Sequence, residues 1–126
     1  MRSNKEYEVC KAIATYLKYQ YPDVIYRFDM GGLNLSMAQA GMNKAIQCGK
    51  GWPDMFIAES IRPYKGMFLE LKAEGVKLQK KDGSYATPHL QEQWEMLYKL
   101  RLKGYVADFA VGFDQAKRLI DSYLKA

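Results

Sequence analysis

The residues of this chain that could do chemistry together fall in two short stretches. Trp52-Pro53-Asp54 is followed, fifteen residues further on, by Glu70-Leu71-Lys72. In a strand, residues i and i+2 share a face, so Glu70 and Lys72 point one way and Leu71 the other. Asp54 stands near the start of the preceding strand. In an antiparallel hairpin all opposed positions share one midpoint. Positions 54 and 70 are centred on 62, and so is the loop at Ser60 to Tyr64, where Pro63 marks a break. Asp54 and Glu70 are therefore expected to face each other, with Cβ atoms roughly 5 Å apart.

Two carboxylates that close repel, and one is pushed toward protonation. A divalent cation removes the conflict. An oxygen-only donor set suits Mg²⁺ or Mn²⁺, with the backbone carbonyl of Leu71 as a further ligand. Lys72 beside such a centre could orient a water or stabilise charge developing on a phosphoryl group. An E-x-K on a strand is, taken alone, an ordinary charged surface. The turn-Pro-Asp at matching register is what separates this sequence from that reading.

Two further polar residues fall on apolar stripes. Glu6 precedes Val9, Cys10 and Ile13 by three, four and seven positions. Gln93 lies between Leu90, Leu97 and Leu100 at helical spacing. Buried polar groups need partners. For Glu6 a capping box with Ser3 is one explanation, and for Gln93 a bond to backbone at the core edge. The functional alternative has both facing the carboxylate pair. Glu8, on another helix face, is the fallback for the helix carboxylate.

The elements that must position these groups read as follows. A helix spans about Asn4 to Tyr19, capped by Ser3 and stopped by Tyr21-Pro22-Asp23. A β-rich run from Val24 to Met30 closes at Gly31-Gly32. A second helix covers Ser36 to Gln47, and Gly49-Lys50-Gly51-Trp52-Pro53 turns tightly. Strands follow at Asp54 to Glu59 and Lys65 to Lys72. Val76 to Ala86 reads as a polar, lysine-rich mobile loop. Thr87 caps a helix with Pro88 at its first position, running to about Lys103 before Gly104. Tyr105 to Gly112 is a buried strand, and Asp114 is expected to cap a last helix through Tyr123. Helices interleaved with strands imply an α/β sandwich around a small mixed sheet.

Glu6, Gly51-Trp52-Pro53-Asp54, Glu70-Leu71-Lys72 and Gln93 together resemble the PD-(D/E)XK nuclease superfamily, and within it the VRR-NUC family in its small, stand-alone, phage-type form. The resemblance spans nearly the whole chain. It implies an α/β, restriction-endonuclease-like fold with a mixed central β-sheet flanked by helices. It also implies a Mg²⁺- or Mn²⁺-dependent phosphodiesterase that cuts branched DNA, including four-way junctions, as a homodimer. Asp54, Glu70 and Leu71 would then hold the metal, Lys72 would act near the attacking water, and Glu6 and Gln93 would support the site. One departure is Leu90, where family members often carry a serine three residues before the glutamine. The expected setting is the cytoplasm of a bacterial or phage-infected host cell. Two alternatives stand beside this: a non-catalytic nucleic-acid-binding module on the same fold, and a nuclease for flaps or single-stranded ends.

The rest of the chain fits that expectation. Its 126 residues suit a single domain, and the charge is +5 with pI about 9.1. Apolar residues make up 48% and charged residues 26%, as in a globular domain, not a disordered one. Between Lys44 and Lys81 eight basic residues face four acids, two of which are Asp54 and Glu70. Lys50, Lys77, Lys80 and Lys81 are the candidate contacts to a DNA backbone. Gly49-Lys50-Gly51 lacks the Ser or Thr and the glycine spacing of a P-loop. Cys10, Cys48 and His89 cannot build a four-ligand zinc site, and with no secretion signal at the start both thiols are expected reduced. No run is apolar for long enough to span a membrane.

Overall fold

The computed structural model describes residues 4–29 and 35–125. Ser3, Met30 and the Gly31-Gly32 pair lie outside those residues. Eight elements follow in the expected order: α1 (Asn4–Gln20), β1 (Tyr26–Phe28), α2 (Met37–Ile46), β2 (Met55–Ile57), β3 (Met67–Lys72), α3 (Pro88–Leu102), β4 (Val106–Val111) and α4 (Gly112–Leu124). The strands form one mixed sheet in the order β1-β2-β3-β4. β1 and β2 are antiparallel, β2 and β3 are antiparallel, and β3 and β4 are parallel. The parallel pair is joined through α3, as parallel neighbours require.

Strand β3 is the centre of the molecule, and all six of its residues are buried. Its odd and even positions serve different layers. Met67, Leu69 and Leu71 enter a core with Cys10, Ile13 and Leu17 of α1 and Ala116, Ile120 and Tyr123 of α4. Phe68 enters a second core with Leu90, Met96, Leu97 and Leu100 of α3. Glu70 and Lys72 are on the Phe68 side by alternation. Thus α1 and α4 cover one face of the sheet and α3 the other.

Local signals explain most boundaries. Thr87 caps α3, its hydroxyl accepting from Leu90 N, and Pro88 occupies the first turn. Ser36 and Gln39 form a reciprocal capping box on α2. Three expectations are corrected. The strands around the hairpin are shorter than expected, because only the paired residues continue the ladder. Asp114 does not cap α4: the cap position is Val111, and Asp114 lies inside the first turn. Gln115 does the satisfying, its Oε1 accepting from Val111 N at 2.6 Å. The 76–86 segment, expected as a mobile loop, is tied to itself and to the α3 core. Gln79 bridges Tyr85, Lys80 N donates to Ser84 O, and Leu78 and Tyr85 pack on the α3 core.

Candidate active site

Met55 pairs with Leu69, Phe56 with Phe68 and Ile57 with Met67. Each pair is centred on position 62, as the sequence predicts. One step beyond Met55, the same register sets Asp54 opposite Glu70. The contact is made: Asp54 Oδ2 accepts from Leu71 N at 2.7 Å, which continues the ladder with a side chain in place of a carbonyl. Pro53 is fully buried just before the strand, where a missing N–H costs no ladder bond.

Glu70 is 2% exposed, Lys72 7%, Gln93 6% and Asp54 9%. Four polar side chains buried this close together are not packing material. Burial pushes the Glu70 carboxyl well above its ordinary value. A hydrogen bond shared with Asp54 and the negative charge of Asp54 push it further, Lys72 opposes, and Glu6 adds to the rise. Two carboxyl groups can share a hydrogen bond only if one holds a proton. A cation between the two carboxylates would relieve the same repulsion.

These groups line an open cavity of about 740 Å³. Glu6 from α1, Asp54 just before β2, Glu70 and Lys72 from β3, and Gln93 from α3 all reach it. Glu6 comes from the first part of α1, on the stripe that continues into Cys10 and Ile13. It is half-buried, while Glu8 is exposed and does not line the cavity. Gln93 projects from α3 between the core residues Leu90 and Leu97. Leu90 enters the α3 core, so the position that departs from the family pattern serves packing.

Lys50 lines the cavity from the turn before Trp52, joined by Lys44 of α2. Lys77, Lys80 and Lys81 are exposed on the 76–86 turn and do not line it. His89 stands at the rim. Asp29 is a lining residue that sequence reasoning missed. The register of β1 against β2 runs from Tyr26 opposite Ile57 to Phe28 opposite Met55, which sets Asp29 opposite Asp54. Asp29 N donates to Asp54 O at 2.7 Å, so three acids occupy adjacent positions across the sheet.

Asp54 and Glu70 offer carboxylate oxygens side by side. Among the described residues no group of three or more His, Cys, Asp or Glu side chains is placed to hold a metal ion. A pair of carboxylates is the donor type that Mg²⁺ or Mn²⁺ takes, beside several waters and substrate oxygens. Gln93 Oε1 gives a second indication. It is buried without a hydrogen-bond partner among the described residues, so a donor such as water is expected there.

The fold is that of a restriction-endonuclease-like α/β domain of nuclease type. No family model matches the sequence, and no curated protein matches it. A solved structure described as "VRR_NUC domain protein" is 25% identical, aligns with a TM-score of 0.66, and covers 99% of this chain and 92% of that one. The chain thus resembles the VRR-NUC family in its overall fold as well as in its motifs.

Proposed function

We propose that this protein is a divalent-metal-dependent endodeoxyribonuclease that hydrolyses phosphodiester bonds in branched DNA, four-way junctions included, and works as a homodimer. The observation that carries the reading is the buried Asp54–Glu70 pair, set face to face by strand register with Lys72 on the same side as Glu70. Asp54, Glu70 and the Leu71 carbonyl hold the metal. When bound, Mg²⁺ or Mn²⁺ supplies Lewis acidity to a phosphoryl oxygen and lowers the pKa of water. Lys72 offers its ammonium to the charge that builds on phosphorus, and Gln93 Oε1 accepts from the water it orients. Glu6 and Asp29 add negative charge around the centre.

Lys44 and Lys50 contact the backbone at the cavity, and Lys77, Lys80 and Lys81 contact DNA that extends past it. Changing those last three together to Ala should weaken gel-shift affinity.

The deciding experiment offers labelled four-way junction, flap, single-stranded and linear duplex DNA with Mg²⁺, Mn²⁺ or EDTA, beside Glu70→Ala and Asp54→Ala. Metal-dependent cutting lost in both variants, with the junction cut fastest, is the expected result. Full cleavage by either variant refutes the site. Tight binding with no cutting of any DNA points to a non-catalytic binding module.

A further inference from the structure

A second cavity, of about 410 Å³, adjoins the catalytic one. The two share Gly49, Lys50, Trp52 and Glu92, so they lie side by side along the same turn and α3. Its size is within the range of ordinary ligand pockets. Its floor is apolar, made by the indole of Trp52 with Met96 and Leu100 of α3. Lys50, Lys99 and Lys103 stand around it, all exposed. Glu92 and Glu95 of α3 are also on its walls.

Trp52 is not a loosely held surface aromatic. It is 38% exposed, yet its ring meets Phe68 edge-on at 5.3 Å between centroids, and Phe68 stacks on Phe56 at 4.5 Å. The turn that carries it is pressed on α3. Gly51 has φ +79, and a Cβ there would lie 2.7 Å from the carbonyl oxygen of Glu92. Trp52 therefore presents a fixed apolar surface between the two cavities, two residues before Asp54.

From this geometry we infer that the second cavity receives an unpaired nucleotide of the substrate, next to the scissile phosphodiester, with its base on Trp52. The inference rests on the nuclease reading of the neighbouring cavity. An apolar floor with a fixed indole matches a base face, which stacks on aromatics whatever its sequence. The lysines match the backbone on either side of that base. Glu92 and Glu95 repel phosphate from the interior and can accept from base amino groups, which sets the base inward and the backbone outward. A fully paired duplex cannot offer a base in this way. Trp52 would thereby favour DNA with unpaired or easily opened positions, as at a branch.

The test is fluorescence anisotropy in EDTA, where no cutting intrudes. The probes are a splayed-arm DNA with two unpaired arms and a fully paired duplex of equal length. Trp52→Ala should weaken splayed-arm binding ~10-fold and duplex binding less than ~2-fold, with Trp52→Phe recovering most of the loss. A folded Trp52→Ala protein that binds splayed-arm DNA within ~2-fold of the native chain, or loses both DNAs equally, overturns the inference. If circular dichroism shows Trp52→Ala unfolded, the exposed pair Lys99→Glu/Lys103→Glu decides. It should weaken splayed-arm binding ~10-fold, and an unchanged affinity overturns the inference. The two readings fail separately. Cutting by Glu70→Ala would remove the nuclease site and leave the binding result intact.

Discussion

Glu70 shows how function is set against stability at a single side chain. It is buried beside a second carboxylate and its pKa is raised, so ionising it opposes folding. The sign follows: a carboxyl whose folded pKa lies above its unfolded value is stabilising at low pH and loses that contribution as pH rises through the folded value. In metal-free buffer at neutral pH, Glu70→Gln should raise Tm by ~3 °C for each ~1 kcal/mol relieved, while abolishing cleavage. Differential scanning calorimetry measures the first and a nicking assay the second. Adding Mg²⁺ at ten times its dissociation constant should stabilise the native chain by about 1.4 kcal/mol and leave Glu70→Gln unmoved. Equal Mg²⁺ shifts in both proteins would remove Glu70 from the ligand set.

Among the elements, the fold depends on ties that the site does not use. Asp121 of α4 joins the end of α1 to its own helix. Tyr16 and Tyr21 hydroxyls donate to its Oδ1 at 2.5 and 2.6 Å, and Lys117 Nζ to its Oδ2 at 3.1 Å. Burial would push the Asp121 carboxyl up, but the two hydroxyls and Lys117 outweigh it and hold it at about 2. Stability from this group is present above the ordinary carboxylate range and is lost as pH falls toward about 2. Asp121→Asn should therefore cost ~1–2 kcal/mol at pH 7 in urea melts, and the difference should shrink below pH 4. Gly51→Ala tests the other tie. A positive φ and a Cβ 2.7 Å from Glu92 O should together cost ~2 kcal/mol or more, with cleavage falling as the turn leaves α3.

These elements also show what the sequence could and could not reveal. The Asp54–Glu70 pairing was readable because β2 and β3 are joined by a short turn whose centre fixes the register. Glu6 and Gln93 were readable because helical spacing sets them on stripes that also carry core residues. Asp29 was not readable by the same means. A helix intervenes between β1 and β2, so no turn supplies a midpoint from which to count. Asp114 misled because a good capping residue is recognised by type, whereas the cap position depends on where β4 releases the chain. That the lysines of the 76–86 turn stand outside the cavity was not readable either, because charge density along a sequence does not say which side of the molecule a turn reaches.

For the molecule as a whole, charge and stoichiometry are the measurable properties. With net charge +5 and exposed lysines around both cavities, affinity for DNA should fall steeply with salt. Symmetric incision of a junction needs two catalytic centres related by a two-fold axis. Multi-angle light scattering at working concentration should give twice the 14.5 kDa chain mass, and a monomer there would remove the two-site argument. No helix among the described residues is long and apolar enough to cross a membrane.

Helix α2 has no buried residue and supplies none to either core, yet its Asn43 and Lys44, with Gln47 at its C-cap, form part of the wall of the larger cavity. Elements with few buried contacts open at little free-energy cost, so α2 amides should exchange with solvent far sooner than those of β3. The cavity-lining residues of this helix are consequently released from the demands of folding. On the nuclease reading proposed above, replacing them would alter what is accepted without endangering the fold, which would make α2 the part of the chain where new substrate preferences can be selected.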